Sequence, residues 1–147
     1  MNYRGDRIGE SAAVIAFFCL ALGGCASKLE RGHVTGVVRH GNQPLENVKV
    51  VFVPSENRGQ KVSRAEGVTD AQGRFELQNE DDDEGPVVGL YTVIVEDLAL
   101  YTAPRSPNGT LIKKPPARYP SKYQKLLESP LRQEIHPGAQ TIDIDLP

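Results

Sequence analysis

Few residues in this chain could do chemistry, and most of them stand apart. The imidazoles are His33, His40 and His136. His33 and His40 flank one Val-rich stretch with opposite parity, so in an extended strand they face opposite sides. No Ser occupies a Gly-x-Ser-x-Gly turn. Cys19 and Cys25 are the two cysteines, so residues 26–147 offer no thiol nucleophile, no internal disulfide and no Cys-ligated zinc. The run Glu80-Asp81-Asp82-Asp83-Glu84 supplies the oxygens a Ca²⁺ ion needs. It lacks the alternating spacing of an EF-hand loop and reads as a solvated acidic turn. Residues 101–125 show the opposite pattern. They carry Arg105, Lys113, Lys114, Arg118, Lys122 and Lys125 with no acid, and Tyr101, Tyr119 and Tyr123 lie among them. Basic groups beside aromatic rings suit anionic sugars, polymers or lipid headgroups. Tyr101, Lys113, Lys114, Arg118, Tyr119, Lys122 and Tyr123 are the candidate binding set. No cluster implies a metal or a cofactor.

The elements that must position these residues are mostly strands. In residues 33–40, Val34, Gly36 and Val38 share one face, and Gly41-Asn42-Gln43-Pro44 supplies a turn. Residues 47–53 put Val48, Val50 and Phe52 on one face, and Pro54 ends the run. A short extended piece over 65–69 leads into the turn Asp70-Ala71-Gln72-Gly73. In that turn Asp70 can accept backbone amides and Gly73 can take positive φ. Phe75 and Leu77 then share a face. The strongest strand spans 89–96, with Tyr91, Val93 and Val95 on one side. Residues 97–130 form a long irregular crossing rich in Pro, of the length that often marks a functional loop. Within it, 121–128 has room for a two-turn helix, with Ser121 and Gln124 at capping-box spacing. Strands over 131–136 and 141–146, joined by Pro137-Gly138, close the chain, with Ile142, Ile144 and Leu146 facing in. The sum is about seven strands without βαβ alternation, which predicts an all-β, antiparallel two-sheet sandwich.

The first 24 residues read as an address. Ala12 to Leu22 is an uncharged apolar run. At about 1.5 Å per helical residue it is roughly 16 Å long, too short for a hydrocarbon core of about 30 Å. It ends in Leu22-Gly23-Gly24-Cys25, which resembles the lipobox of bacterial lipoprotein signal peptides. The resemblance implies a signal peptide over 1–24, lipidation at Cys25, a tether over 25–32 and a domain over 33–147. It also implies a lipid-anchored place in the cell envelope, on the periplasmic or outer face. Cys19 would leave with the signal peptide. Net charge is −2 over the whole chain and stays −2 without Arg4, Asp6, Arg7 and Glu10. A pI near 5.9 gives no electrostatic reason to bind nucleic acid.

Three motifs carry a second resemblance. Val34-x-Gly36-x-Val38 is followed by Gly41-x-x-Pro44-Leu45-x-x-Val48-x-Val50-x-Phe52-x-Pro54. Gly67-x-Thr69-Asp70-x-x-Gly73-x-Phe75-x-Leu77 and Gly89-x-Tyr91-x-Val93-x-Val95 complete the set. Together they resemble the carboxypeptidase regulatory-like, or transthyretin-like (prealbumin-like), β-sandwich domains. The tail from Tyr119-Pro120-x-Lys122-Tyr123 is similar to small planctomycete-type bacterial lipoproteins. The fold hosts hydroxyisourate hydrolases, which end in Tyr-Arg-Gly-Ser; this chain ends Ile144-Asp145-Leu146-Pro147 and lacks that tail. Isopeptide-forming adhesin domains of similar fold need a buried Lys, whereas Lys49 and Asp143 fall on outward faces. The expected function is therefore non-catalytic: a structural or binding module for envelope polysaccharide or a surface protein. The competing expectation is a small hydrolase or metal-dependent enzyme built on the 97–130 loop.

Overall fold

A computed structural model describes residues 29–56, 62–81 and 84–147. The expected signal peptide, Cys19, Cys25 and the first part of the tether lie outside the described residues. No helix among those residues is long and apolar enough to cross a membrane.

The chain is all-β, in two sheets that bury one core. β1 (Gly32–His40) is the spine of the first sheet. Its even positions Val34 and Val38 are fully buried, as the two-residue period requires. A turn leads through the short β2 (Gln43–Pro44) into β3 (Val48–Pro54), where Val48, Val50 and Phe52 are likewise fully buried. β4 (Ala65–Val68) and β5 (Arg74–Glu76) flank the turn at Asp70. β6 (Gln78–Asn79) is a two-residue edge, and β7 (Gly89–Asp97) is the second long strand. β8 (Arg132–Ile135), β9 (Gly138–Thr141) and β10 (Ile144–Leu146) end the chain.

The second sheet runs β6-β4-β3-β7-β8, and every ladder in it is antiparallel. In the first sheet β1 pairs antiparallel with β5 and β2 along one edge. Along its other edge it pairs parallel with β9 and β10. This corrects the wholly antiparallel expectation. One register runs the length of β1, from Gly32 opposite Gly138 to His40 opposite Leu146. Where the two short strands are interrupted, Asp143 Oδ1 accepts the Val37 N–H at 3.0 Å and keeps the edge bonded.

The strands joined at Pro137-Gly138 lie in different sheets. β8 pairs with β7 in the second sheet, and β9 pairs with β1 in the first. The chain therefore crosses between layers at Pro137, which has no N–H to leave unpaired there.

Val34, Val38, Phe75, Ile144 and Leu146 of the first sheet meet Val50, Phe52, Tyr91, Val93, Val95 and Ile135 of the second in one cluster. The Phe52 and Tyr91 rings lie 6.0 Å apart and tilted. The Tyr91 hydroxyl donates to the Val87 carbonyl at 2.7 Å, and burial pushes its phenol up to about 12. Gly36 faces this core because nothing larger fits. A Cβ there would sit 1.9 Å from the Ile142 carbonyl oxygen. The turn before β5 closes with Gly73 N–H donating to Asp70 O at 2.9 Å, with Gly73 at φ +74°. Asp70 Oδ1 accepts the Gln72 and Arg74 amides at 2.9 Å each, as the turn residues predict.

Candidate functional site

The crossing between β7 and β8 is more ordered than its Pro content suggests, and it divides into two parts. The division point is a part-buried ion pair. Asp97, at the end of β7, is 3% exposed. Arg118 donates Nη2–H to its Oδ1 at 2.6 Å and Nε–H to its Oδ2 at 2.8 Å. The same guanidinium donates to the Glu46 carbonyl at 2.8 Å and the Asn47 carbonyl at 3.4 Å, just before β3. Burial alone would push the Asp97 carboxyl up. The Arg118 hydrogen bonds, the Ala99 amide and the Arg118 charge outweigh burial and hold it below its ordinary value. Leu98 N–H donates to the Asn47 carbonyl at 3.3 Å. Both ends of the segment 98–118 are therefore fastened at one place.

After Arg118 the chain seals the free edge of β7. Tyr119 is buried, and its hydroxyl donates to the Val95 carbonyl at 3.0 Å. Ser129 Oγ donates to the Val93 carbonyl at 2.5 Å, and Val93 N–H donates to the Leu131 carbonyl at 3.1 Å. Only then does β8 take over with a regular ladder. Side chains thus serve the strand edge where backbone does not, which keeps it from pairing with another chain. Tyr123 is buried in the core from a 3₁₀ turn over Ser121–Gln124. That single turn replaces the two-turn helix expected over 121–128, and no side chain caps it. Pro120 stands at the cap position, and the backbone is already extended at Lys125.

Between the fastened ends the chain projects. One helical turn, α1 (Ala99–Thr102), leads into a small hairpin. Ile112 N–H donates to Pro104 O at 3.0 Å, and Ser106 N–H donates to Thr110 O at 2.8 Å. Gly109 turns it at φ +83°. Arg105, itself exposed, donates to the Gly109 and Leu100 carbonyls of the same loop. Tyr101 is 65% and Ile112 69% exposed, and Lys113 and Lys114, which follow Ile112 in sequence, are exposed too.

The structure therefore separates the candidate binding set. Tyr101, Lys113 and Lys114 share the projecting loop. Tyr119 and Tyr123 are buried in the core and cannot stack on a ligand ring, and Arg118 is committed to Asp97. Lys122 is exposed, with its ammonium 5.0 Å from the Tyr123 ring centroid. Lys125, from the same acid-free run, pairs with Glu128 at 2.8 Å. Lys113 and Lys114 have no ion-pair partner among the described residues. Asp97 was not among the sequence candidates. The signal for it was available: it is the last acid before an acid-free stretch holding six bases.

The other chemistry is dispersed. His33 is exposed and lies 3.5 Å from Glu76; His40 and His136 are exposed at strand ends. Lys49 pairs with Glu66 and Glu96 across three strands, and Asp143 pairs with Arg39, so both lie outside the core. In the acidic run, Glu80 takes two Arg64 hydrogen bonds of 2.7 Å, and Glu84 lies 2.8 Å from Arg31. Residues 82 and 83 fall outside the described residues. No group of three His, Cys, Asp or Glu is placed to hold a metal among the described residues.

An open cavity of about 410 Å³ is lined by Thr35, Val37, Val68, Asp70, Arg74, Glu76 and Thr141. Its charges are already engaged, Arg74 with Asp70 and Glu76 with His33. A search of protein-family models, of curated proteins and of solved structures finds no match to this chain.

Proposed function

We propose that this protein is a lipid-anchored, non-catalytic module of the bacterial cell envelope, a transthyretin-like sandwich that works by binding. Its partner is envelope polysaccharide or a surface protein, met by the projecting loop that carries Tyr101, Lys113 and Lys114. One observation carries the reading: the Asp97–Arg118 pair clamps both ends of the loop to the sheets and leaves two adjacent lysines exposed without counter-charge. Binding groups gather on loops that a rigid scaffold holds. The transthyretin-like part of the reading is supported by where its motifs fall. They lie on β1 to β3, β4 to β5, and β7, and their apolar positions supply most of the core. The lipid anchor rests on Leu22-Gly23-Gly24-Cys25.

The test combines location and capture. Wild type should fractionate with membranes and yield an acylated amino-terminal Cys25 by mass spectrometry, and Cys25→Ala should be released. Purified envelope material should retain the domain, and the double variant K113E/K114E should lose that retention while keeping the wild-type melting curve. Release of neither form, or equal retention of both, refutes the corresponding half of the reading.

A further inference from the structure

The two ends of this molecule are chemically different. The chain enters at one pole, where Val88 N–H donates to the Glu30 carbonyl and Gly32 N–H to the Pro86 carbonyl. Residues 30–32, expected to be free tether, are thus already bound to the domain. The acidic run ends at this pole, with Arg31 donating to the Gly85 carbonyl beside Glu84. β7 starts here at Gly89 and ends at Asp97, where the projecting loop is clamped. Eight steps of about 3.4 Å separate those points by roughly 27 Å. Glu84 and Glu80, the two ends of the acidic run, therefore sit toward the entry pole and are answered there by Arg31 and Arg64, while the uncompensated Lys113 and Lys114 belong to the opposite pole.

We infer that the loop faces away from the anchoring membrane and binds an anionic polysaccharide there. This rests on the lipid-anchored reading above and adds a direction and a partner class. An anionic leaflet at the anchor would meet a pole whose Arg31 and Arg64 are already paired with Glu84 and Glu80, and would lie a domain's length from the lysines. Screening over about 8–10 Å leaves no attraction across that gap. A carboxylated glycan matches what the loop offers: adjacent ammonium groups for the charges, and an exposed Tyr101 ring with Ile112 for the apolar sugar faces.

The experiment uses the full lipoprotein in phosphatidylcholine vesicles with and without phosphatidylglycerol. A fluorophore is placed at Asn108→Cys, in the hairpin turn, or at Ala139→Cys, opposite His33 at the entry pole. A headgroup quencher should dim the Ala139 probe and spare the Asn108 probe in both vesicles. Polygalacturonate should bind with a salt-dependent affinity that K113E/K114E weakens about tenfold or more. Neutral dextran should not bind. Stronger quenching at Asn108 would place the loop on the lipid and overturn the inference. Tighter binding of polyglutamate than of polygalacturonate, or glycan binding indifferent to K113E/K114E, would overturn it as well. Soluble Cys25→Ala keeps the two readings separable. If it binds the glycan as wild type does while wild type proves unacylated, the anchor fails and the loop's ligand stands.

Discussion

Asp97 and Arg118 show how one pair of residues can turn a Pro-rich crossing into a fixed structure. A planar guanidinium can bind a carboxylate through two parallel hydrogen bonds and still reach two carbonyls. That is the arrangement here, joining the end of β7 to the chain before β3. Replacing Asp97 by Asn leaves Arg118 without its counter-charge. Removing one partner of a fully buried pair costs about 3–5 kcal/mol. Arg118 is 27% exposed, so about 2–3 kcal/mol is expected, read from urea denaturation at pH 7. The pH dependence follows from the same geometry. The folded Asp97 carboxyl titrates below its unfolded value, which lies near ~3.9. Its stabilisation is complete above the unfolded value and is lost as pH falls through the folded one. Wild type should therefore lose melting temperature more steeply below about pH 4 than Asp97→Asn does. Equal acid slopes would show that the pair contributes nothing. From sequence, Arg118 was visible only as a charge in a basic run. Charge patterning gives sign and density, but not which carboxylate lies in reach across 21 residues of irregular chain.

At the scale of elements, the two-residue period gave the faces of β1, β3 and β7 correctly because burial on one side of a strand leaves that mark. Partners leave a weaker one. Residues 141–146 read as one ordinary terminal strand where the structure has β9 and β10, and nothing in Ile142, Ile144 and Leu146 says that the chain there runs parallel to β1. The Pro-rich crossing was legible as irregular, but its edge-sealing part was not. Tyr119 and Ser129 act on carbonyls of β7 without any local periodicity to announce them. Gly36 is where these elements press hardest on one residue. A Cβ there meets the Ile142 carbonyl, which is backbone and cannot rotate away. Gly36→Ala should therefore separate β1 from the β9–β10 edge, at a cost of about 3 kcal/mol or more, at the upper end for overpacking. Phe75→Ala, on the facing strand, should cost a comparable ~3–5 kcal/mol through the cavity it leaves. The two are distinguished by hydrogen exchange: Gly36→Ala should speed amides of residues 138–146 first, whereas Phe75→Ala should speed the whole core together. Protection of 138–146 that is unchanged in Gly36→Ala would mean that the close approach does not govern the pairing.

Across the whole molecule, the last residues close what the first described ones begin. Val34 and Val38 of β1 pack in one cluster with Ile144 and Leu146, which arrive more than a hundred residues later in the sequence. A first sheet built this way has no local core of its own. β5 and β2 touch β1 for only a few residues, and its other edge belongs entirely to β9 and β10. Deleting residues 138–147 removes Ile144 and Leu146, each worth about 1.5–3 kcal/mol of burial, together with both parallel ladders on β1. Against a total of about 5–15 kcal/mol for an ordinary domain, that loss is a large share. The truncated chain should lose its cooperative thermal transition. Because the two sheets share one core, the loss should extend to β3 and β7, which the deletion does not touch. Ile144→Ala is the graded version, expected to lower stability by about 2–5 kcal/mol within a single transition. Its measurement is a urea melt followed both by circular dichroism and by exchange of β7 amides. Coincident curves would show that one core holds both sheets. A truncated chain that still melts cooperatively, with β7 protected, would show the second sheet folding alone and the first resting on it as an appendage.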